Sequence, residues 1–196
     1  MPRAPATRQR LLDATRRCLG EKGLAATTSR DIARAAGANL AAITYHFGSK
    51  DDLVAAALLA GLRTWLAPTI DVLATDGDPA ARTARAIQTL VATFDGHRSD
   101  AAVYLEALLL APRLAPLHRG LLDLWGDLRR LLADQMAGMK GAGTLPAWID
   151  PDAMAALFIA VANGLVIQVT TDPDGPDLAT LAAQFGGLLL AASEGV

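Results

Sequence analysis

Residues 28–53 read TSRDIARAAGANLAAITYHFGSKDDL, two short apolar-periodic runs separated by a turn built on Gly37. Thr28 followed by Asp31 is a capping-box pattern that opens a helix running to Ala36, and Gly37 ends it. Asn39 then caps a helix that reaches Phe47, and Ser49 with Asp52 makes a second capping box for a longer helix. Two short helices joined by the turn AGAN have the spacing of a helix-turn-helix, whose second helix enters the major groove of DNA.

The second helix carries Ala41 and Ala42 where a core-filling helix has Leu or Met. On a helical wheel started at Leu40, Ile43 and Phe47 fall beside Leu40 as an inward stripe. Ala41, Ala42 and Tyr45 point the opposite way, with Thr44 and His46 on the flanks. Small residues let the backbone approach base edges, an Ala methyl meets a thymine methyl, and Thr44, Tyr45 and His46 supply hydroxyl and ring N–H donors. Lys50 and the backbone N–H groups behind Ser49 form a site for a phosphate oxygen. Thr28, Ser29 and Arg30 offer the same at the start of the preceding helix.

Charge supports this reading. Residues 1–50 sum to +6 and the remaining residues to -8, within a net charge of -2. A basic head on an acidic body is the pattern of a polyanion-binding segment attached to a region with another task. The chain is 52% hydrophobic and rich in Ala and Leu, which favours an all-α fold. The single Cys18 excludes an internal disulfide and falls at an apolar helical position, so it is read as core.

Outward from the quoted stretch, helix 1 is expected from about Thr7 to Glu21, stopping before Gly23. Pro68 should kink or end helix 4. Further helices are expected from Pro79 to about Phe94, Ser99 to Ala111, 113 to 139, 151 to 171 behind the cap Asp150, and 176 to 192, about nine in all.

The run GLAATTSRDIARAAGANLAAITYHFGSKDDL (residues 23–53) resembles the N-terminal domain of TetR-type transcriptional regulators. The shared pattern is paired Thr, Asp-Ile-Ala, Ala-Gly, a short recognition helix, His-Phe and Ser-Lys at these spacings, over about residues 7–55. The resemblance implies phosphate contacts from Thr28 or Ser29, His46 and Lys50, and base-edge contacts from Arg30, Ala41, Ala42, Thr44 and Tyr45. Asn39, in the turn, completes the expected DNA-binding set. Thr44 stands where members often have Tyr, and Ala38-Asn39 where Val-Ser is more usual.

The resemblance also implies that residues 1–50 are the DNA-binding domain and 51–196 a larger helical ligand-binding and dimerisation domain. Residues 153–171 hold no charge over nineteen positions, about the length that spans a bilayer. Asp150, Asp152, Asp172 and Asp174 flank them, without the basic and aromatic anchors of a spanning helix. With 177–192 they are expected to pack on their copies in a four-helix bundle of a homodimer, Gly164, Gly186 and Gly187 permitting close approach. Candidate ligand-binding residues are the aromatic and polar side chains on otherwise apolar helices: Trp65, Phe94, His97, Tyr104, Trp125, Phe158 and Asn163. Few charges accompany them, Glu106 being the main exception, so an apolar or weakly polar effector is expected.

An enzyme is the rival class, and the chain shows no Gly-rich phosphate loop, His/Glu metal motif or nucleophile elbow. No catalytic residue, cofactor or metal site is expected. A second rival is a DNA-binding dimer controlled by a protein partner, independent of any effector. Met1-Pro2-Arg3 leads into a charged helix with no apolar signal region, so a cytoplasmic location without membrane association is expected. The expected function is that of a homodimeric repressor released from a palindromic operator on double-stranded DNA by a small, mostly apolar molecule.

Overall fold

A computed structural model describes residues 4–96 and 98–194, and among them nine α-helices, one short 3-10 turn and no strand. The helices are α1 (Ala4–Ala26), α2 (Ser29–Ala35), α3 (Ala41–Phe47), α4 (Lys50–Leu73), α5 (Pro79–Gly96), α6 (Arg98–Leu110), α7 (Ala115–Gly141), α8 (Pro151–Thr171) and α9 (Leu178–Glu194). Two compact units divide the chain, one of residues 1–64 with 102–123, the other of 65–101 with 124–196.

In the first unit α1, α2 and α3 pack on one another because each gives an apolar stripe to one core: Leu11, Ala14 and Cys18 from α1, Ile32 and Ala33 from α2, and Ile43 from α3, closed by Leu53 and Ala57 of α4. Helical geometry in α1 fails at Gly23 (φ 71°), a left-handed value that glycine adopts without a Cβ clash. The Glu106 carboxylate of α6 accepts the Leu24 N–H that this break releases, at 2.9 Å. Glu106 is therefore engaged with α1, a structural partner for its charge.

The predicted caps are in place. The Thr28 hydroxyl accepts the Asp31 N–H at 3.2 Å, and the Asp31 carboxylate accepts the Thr28 N–H at 3.1 Å. Asp150 caps α8 through the Ala153 N–H at 2.8 Å. Asn39 accepts the Ala41 N–H at 2.8 Å, although Leu40 is the residue at the helix boundary. Pro68 does not end α4, which runs on to Leu73; a proline deletes one intrahelical hydrogen bond, and buried Trp65, Leu66 and Leu73 hold the flanking turns in place.

The second unit is built around Leu73, Ala86 and Leu128, with Ile70, Trp125, Leu131 and Ile159 packed against them. α9 packs on α5 and on α8, the latter contact including Phe158 and Phe185 edge to face at 5.6 Å between centroids. Two described helices, α4 and α8, are long and apolar enough to cross a membrane; 56% of the apolar window of α4 is buried within the chain, but only 11% of that of α8.

Candidate nucleic-acid interface

α3 is anchored from one side. Ile43 is 3% exposed, while Tyr45 is 81% exposed, and Ala41 and Thr44 are also exposed. The short helix is held at its start by Asn39 and released at its end by Gly48 (φ 85°), a backbone state that turns the chain sharply into α4. The Tyr45 ring meets His46 edge-on at 4.9 Å, and His46 stands 6.4 Å from Phe47. The Arg8 guanidinium of α1 sits 5.0 Å above the Phe47 ring, a cation–π contact that places a positive charge beside the recognition helix.

Two placements differ from the wheel. Leu40, expected inward, is 46% exposed: its backbone is already helical (φ -54°, ψ -38°), but it stands at the boundary of α3, outside the packed core of the unit. Ala42, expected outward, is half-buried and packs against the core with Phe47. The outward face of α3 therefore consists of Leu40, Ala41, Thr44 and Tyr45.

The phosphate-contact candidates cluster at two helix starts. Arg30 is exposed and Ser29 half-buried at the start of α2. The Thr28 hydroxyl is committed to Asp31, to which it donates at 2.6 Å, and Lys22 lies 3.4 Å from the same carboxylate. The hydrogen bonds from the Thr28 hydroxyl and backbone, with Lys22 adding to them, lower the Asp31 pKa from 3.8 to about 2. At the start of α4, Ser49 accepts the Asp52 N–H at 3.0 Å, so one of the N–H groups expected to face phosphate is already engaged. Lys50, half-buried, opens the helix.

Missing from the sequence-derived set are Leu40 and Arg8. Leu40 shares the angular position of the inward stripe but lies at the end of α3 that the core does not reach. The signal for Arg8 was present as the basic excess of residues 1–50, which does not say which arginine faces α3.

The effector candidates are distributed over both units. Trp65 and Phe94 lie 6.4 Å apart between centroids, Trp125 packs on the Leu73–Leu128 cluster, and Phe158 meets Phe185; these and half-buried Asn163 belong to the second unit. Tyr104 belongs to the first, where burial pushes its phenol pKa upward and keeps it neutral. His97 lies outside the described residues.

A basic three-helix unit with an anchored, outward-facing second element is a helix-turn-helix DNA-binding domain. Residues 11–57 match the family model of bacterial regulatory proteins of the tetR family, and residues 79–189 that of the C-terminal region of BetI-type transcriptional repressors. The chain belongs to the TetR family, whose members are transcriptional regulators and not enzymes. It is 37% identical over 97 residues to the HTH-type transcriptional regulator BetI of Burkholderia ambifaria, a match covering 49% of this chain. The chain spans about half the length of the curated relatives it matches, 48% for this one. A TetR transcription regulator from Haloarcula marismortui shares the fold with a TM-score of 0.80 at 23% identity, covering 95% of this chain and 97% of that one. The multidrug binding protein EbrR complexed with imidazole has a TM-score of 0.70 at 28% identity, covering 96% of this chain and 94% of its own.

Proposed function

We propose that this regulator is a homodimeric repressor that binds a palindromic operator and is released by a small, mostly apolar effector. The observation that carries the reading is α3, fixed through Ile43 with Tyr45 standing 81% exposed on its other side. In this reading Arg30, Asn39, Leu40, Ala41, Thr44 and Tyr45 face the base edges, and Ser29, His46 and Lys50 the phosphates. Thr28 takes part by capping α2, and Ala42 by keeping the helix close to the groove.

Dimerisation through α8 and α9 follows from α8, an apolar helix with 11% of its apolar window buried in its own chain and with Leu157 and Ile167 about half exposed. Such a face requires cover from another surface, and a second copy supplies it with two-fold symmetry that matches a palindrome. Residues 1–50 then read DNA while 51–196 bind the effector and the partner copy. Support for a small-molecule effector comes from the relative EbrR, a multidrug binding protein that holds imidazole, and from the aromatic side chains Trp65, Phe94, Trp125 and Phe158 in the second unit.

The test is selection of binding sites from random DNA followed by footprinting and mass measurement of the complex. A two-fold symmetric site occupied by an even number of chains is expected. A monomer protecting one half-site with undiminished affinity overturns the proposal.

A further inference from the structure

Two polar side chains lie deep in the second unit with an atom left over. Thr69 on α4 is 6% exposed and Gln135 on α7 is 3% exposed. Neither the Thr69 hydroxyl nor Gln135 Oε1 has a hydrogen-bond partner among the described residues. Burial without a partner leaves the desolvation penalty of a polar atom uncompensated.

For threonine the remedy is local and used elsewhere in this chain. Thr15, Thr83 and Thr93 donate to the carbonyl four residues back at 2.7, 2.9 and 2.8 Å. Thr69, which directly follows Pro68 in α4, does not. For Gln135 the orientation of the amide is set by its surroundings: Nε2 lies 3.4 Å from the carbonyl oxygens of both Leu73 and Leu131. Turning the amide over would put Oε1 against two acceptors, so the group presented is an acceptor. Leu73 is one helical turn beyond Thr69, so the bond to its carbonyl ties Gln135 to the stretch of α4 that carries the hydroxyl. The apolar cluster of Leu73, Ala86 and Leu128, with Ile70, Trp125 and Leu131 packed against it, belongs to the same unit.

We propose that Thr69 and Gln135 are the polar anchor of the effector site, with Gln135 Oε1 accepting an N–H or O–H from a neutral, otherwise apolar molecule and the Thr69 hydroxyl completing the contact. Neither side chain carries a charge to offset an ionic ligand, so the contact they offer suits a neutral donor-bearing molecule. The assignment rests on the reading of the second unit as effector-binding.

The experiment uses the full chain and two matched probe pairs: indole with 1-methylindole, and phenol with anisole, each pair differing by one donor hydrogen. Calorimetric titration of the parent protein is expected to favour indole and phenol by roughly 5- to 30-fold, the worth of one buried hydrogen bond. Gln135→Met should remove that preference while leaving 1-methylindole bound within about twofold of the parent, and Thr69→Val should weaken both donor probes. Free of ligand, Thr69→Val should melt at or above the parent temperature because an orphaned polar atom has gone. Gln135→Met, which also loses the donor to the Leu73 carbonyl, should melt somewhat lower but keep the parent's helical content and a cooperative transition, which shows that both fold. Retention of the donor preference in Gln135→Met, equal binding of both members of each pair by the parent, or binding of neither overturns the assignment. Operator affinity measured in parallel separates the two readings: donor-dependent binding that leaves the operator bound upholds the anchor and removes the effector role.

Discussion

Tyr45 and Lys50 stand five residues apart, and in the proposed reading they carry different parts of recognition. Tyr45 projects from the middle of α3 with its ring almost wholly in solvent, where a hydroxyl reaches base edges and discriminates among them. Lys50 begins α4, a position suited to a phosphate and blind to sequence. Tyr45→Ala is therefore expected to cost about 1–3 kcal/mol on the selected operator and nothing on random DNA. Lys50→Ala should weaken both and lower the slope of log affinity against log salt by about one unit. Fluorescence anisotropy on the two DNAs across a salt series decides the matter; parallel losses for both variants would show that Tyr45 does not touch the bases.

At the scale of elements, the caps and glycines were legible because each is a local bargain between a side chain and the nearest free backbone groups. Thr28 with Asp31 and Asp150 before α8 draw on groups within three residues of each other, and the φ of Gly23 is a property of that residue alone. Leu40 and Ala42 were misplaced because a two-turn helix is covered only where its neighbours pack on it, and here those are α1 and α2. Glu106 was illegible for the same reason: its partner, Leu24, lies 82 residues away. The capping box of α2 also makes a pH prediction. Folding lowers the Asp31 pKa from 3.8 to about 2, so its contribution is complete above the unfolded value and is lost as pH falls from about 4 towards 2. Asp31→Asn should be less stable than the parent at pH 6, and the gap in urea midpoint should close as the pH approaches 2. A gap that stays constant across that range would mean that the carboxylate charge does not stabilise the helix start.

For the whole molecule, the question is what covers α8. In the proposed reading a helix this apolar and this little buried within its own chain gains stability from a surface contributed by another molecule, because apolar area removed from water stabilises at about 25 cal/mol per Å². The flanking acids Asp150, Asp152, Asp172 and Asp174 argue for a protein surface over lipid. If the cover is a second copy, melting temperature must rise with protein concentration, since association stabilises only the folded chain. Ile167→Glu then serves as a selective break: the residue is 48% exposed, so a glutamate there meets water in an isolated chain but faces its own copy in a dimer. Light scattering should show half the parent mass, and the operator should be lost even though α3 and its cap are untouched, because two half-sites held by one dimer bind far more tightly than either alone. Helical content should stay at the parent level, which separates lost association from lost folding. An Ile167→Glu protein that keeps the parent mass would place the dimer contact on another face.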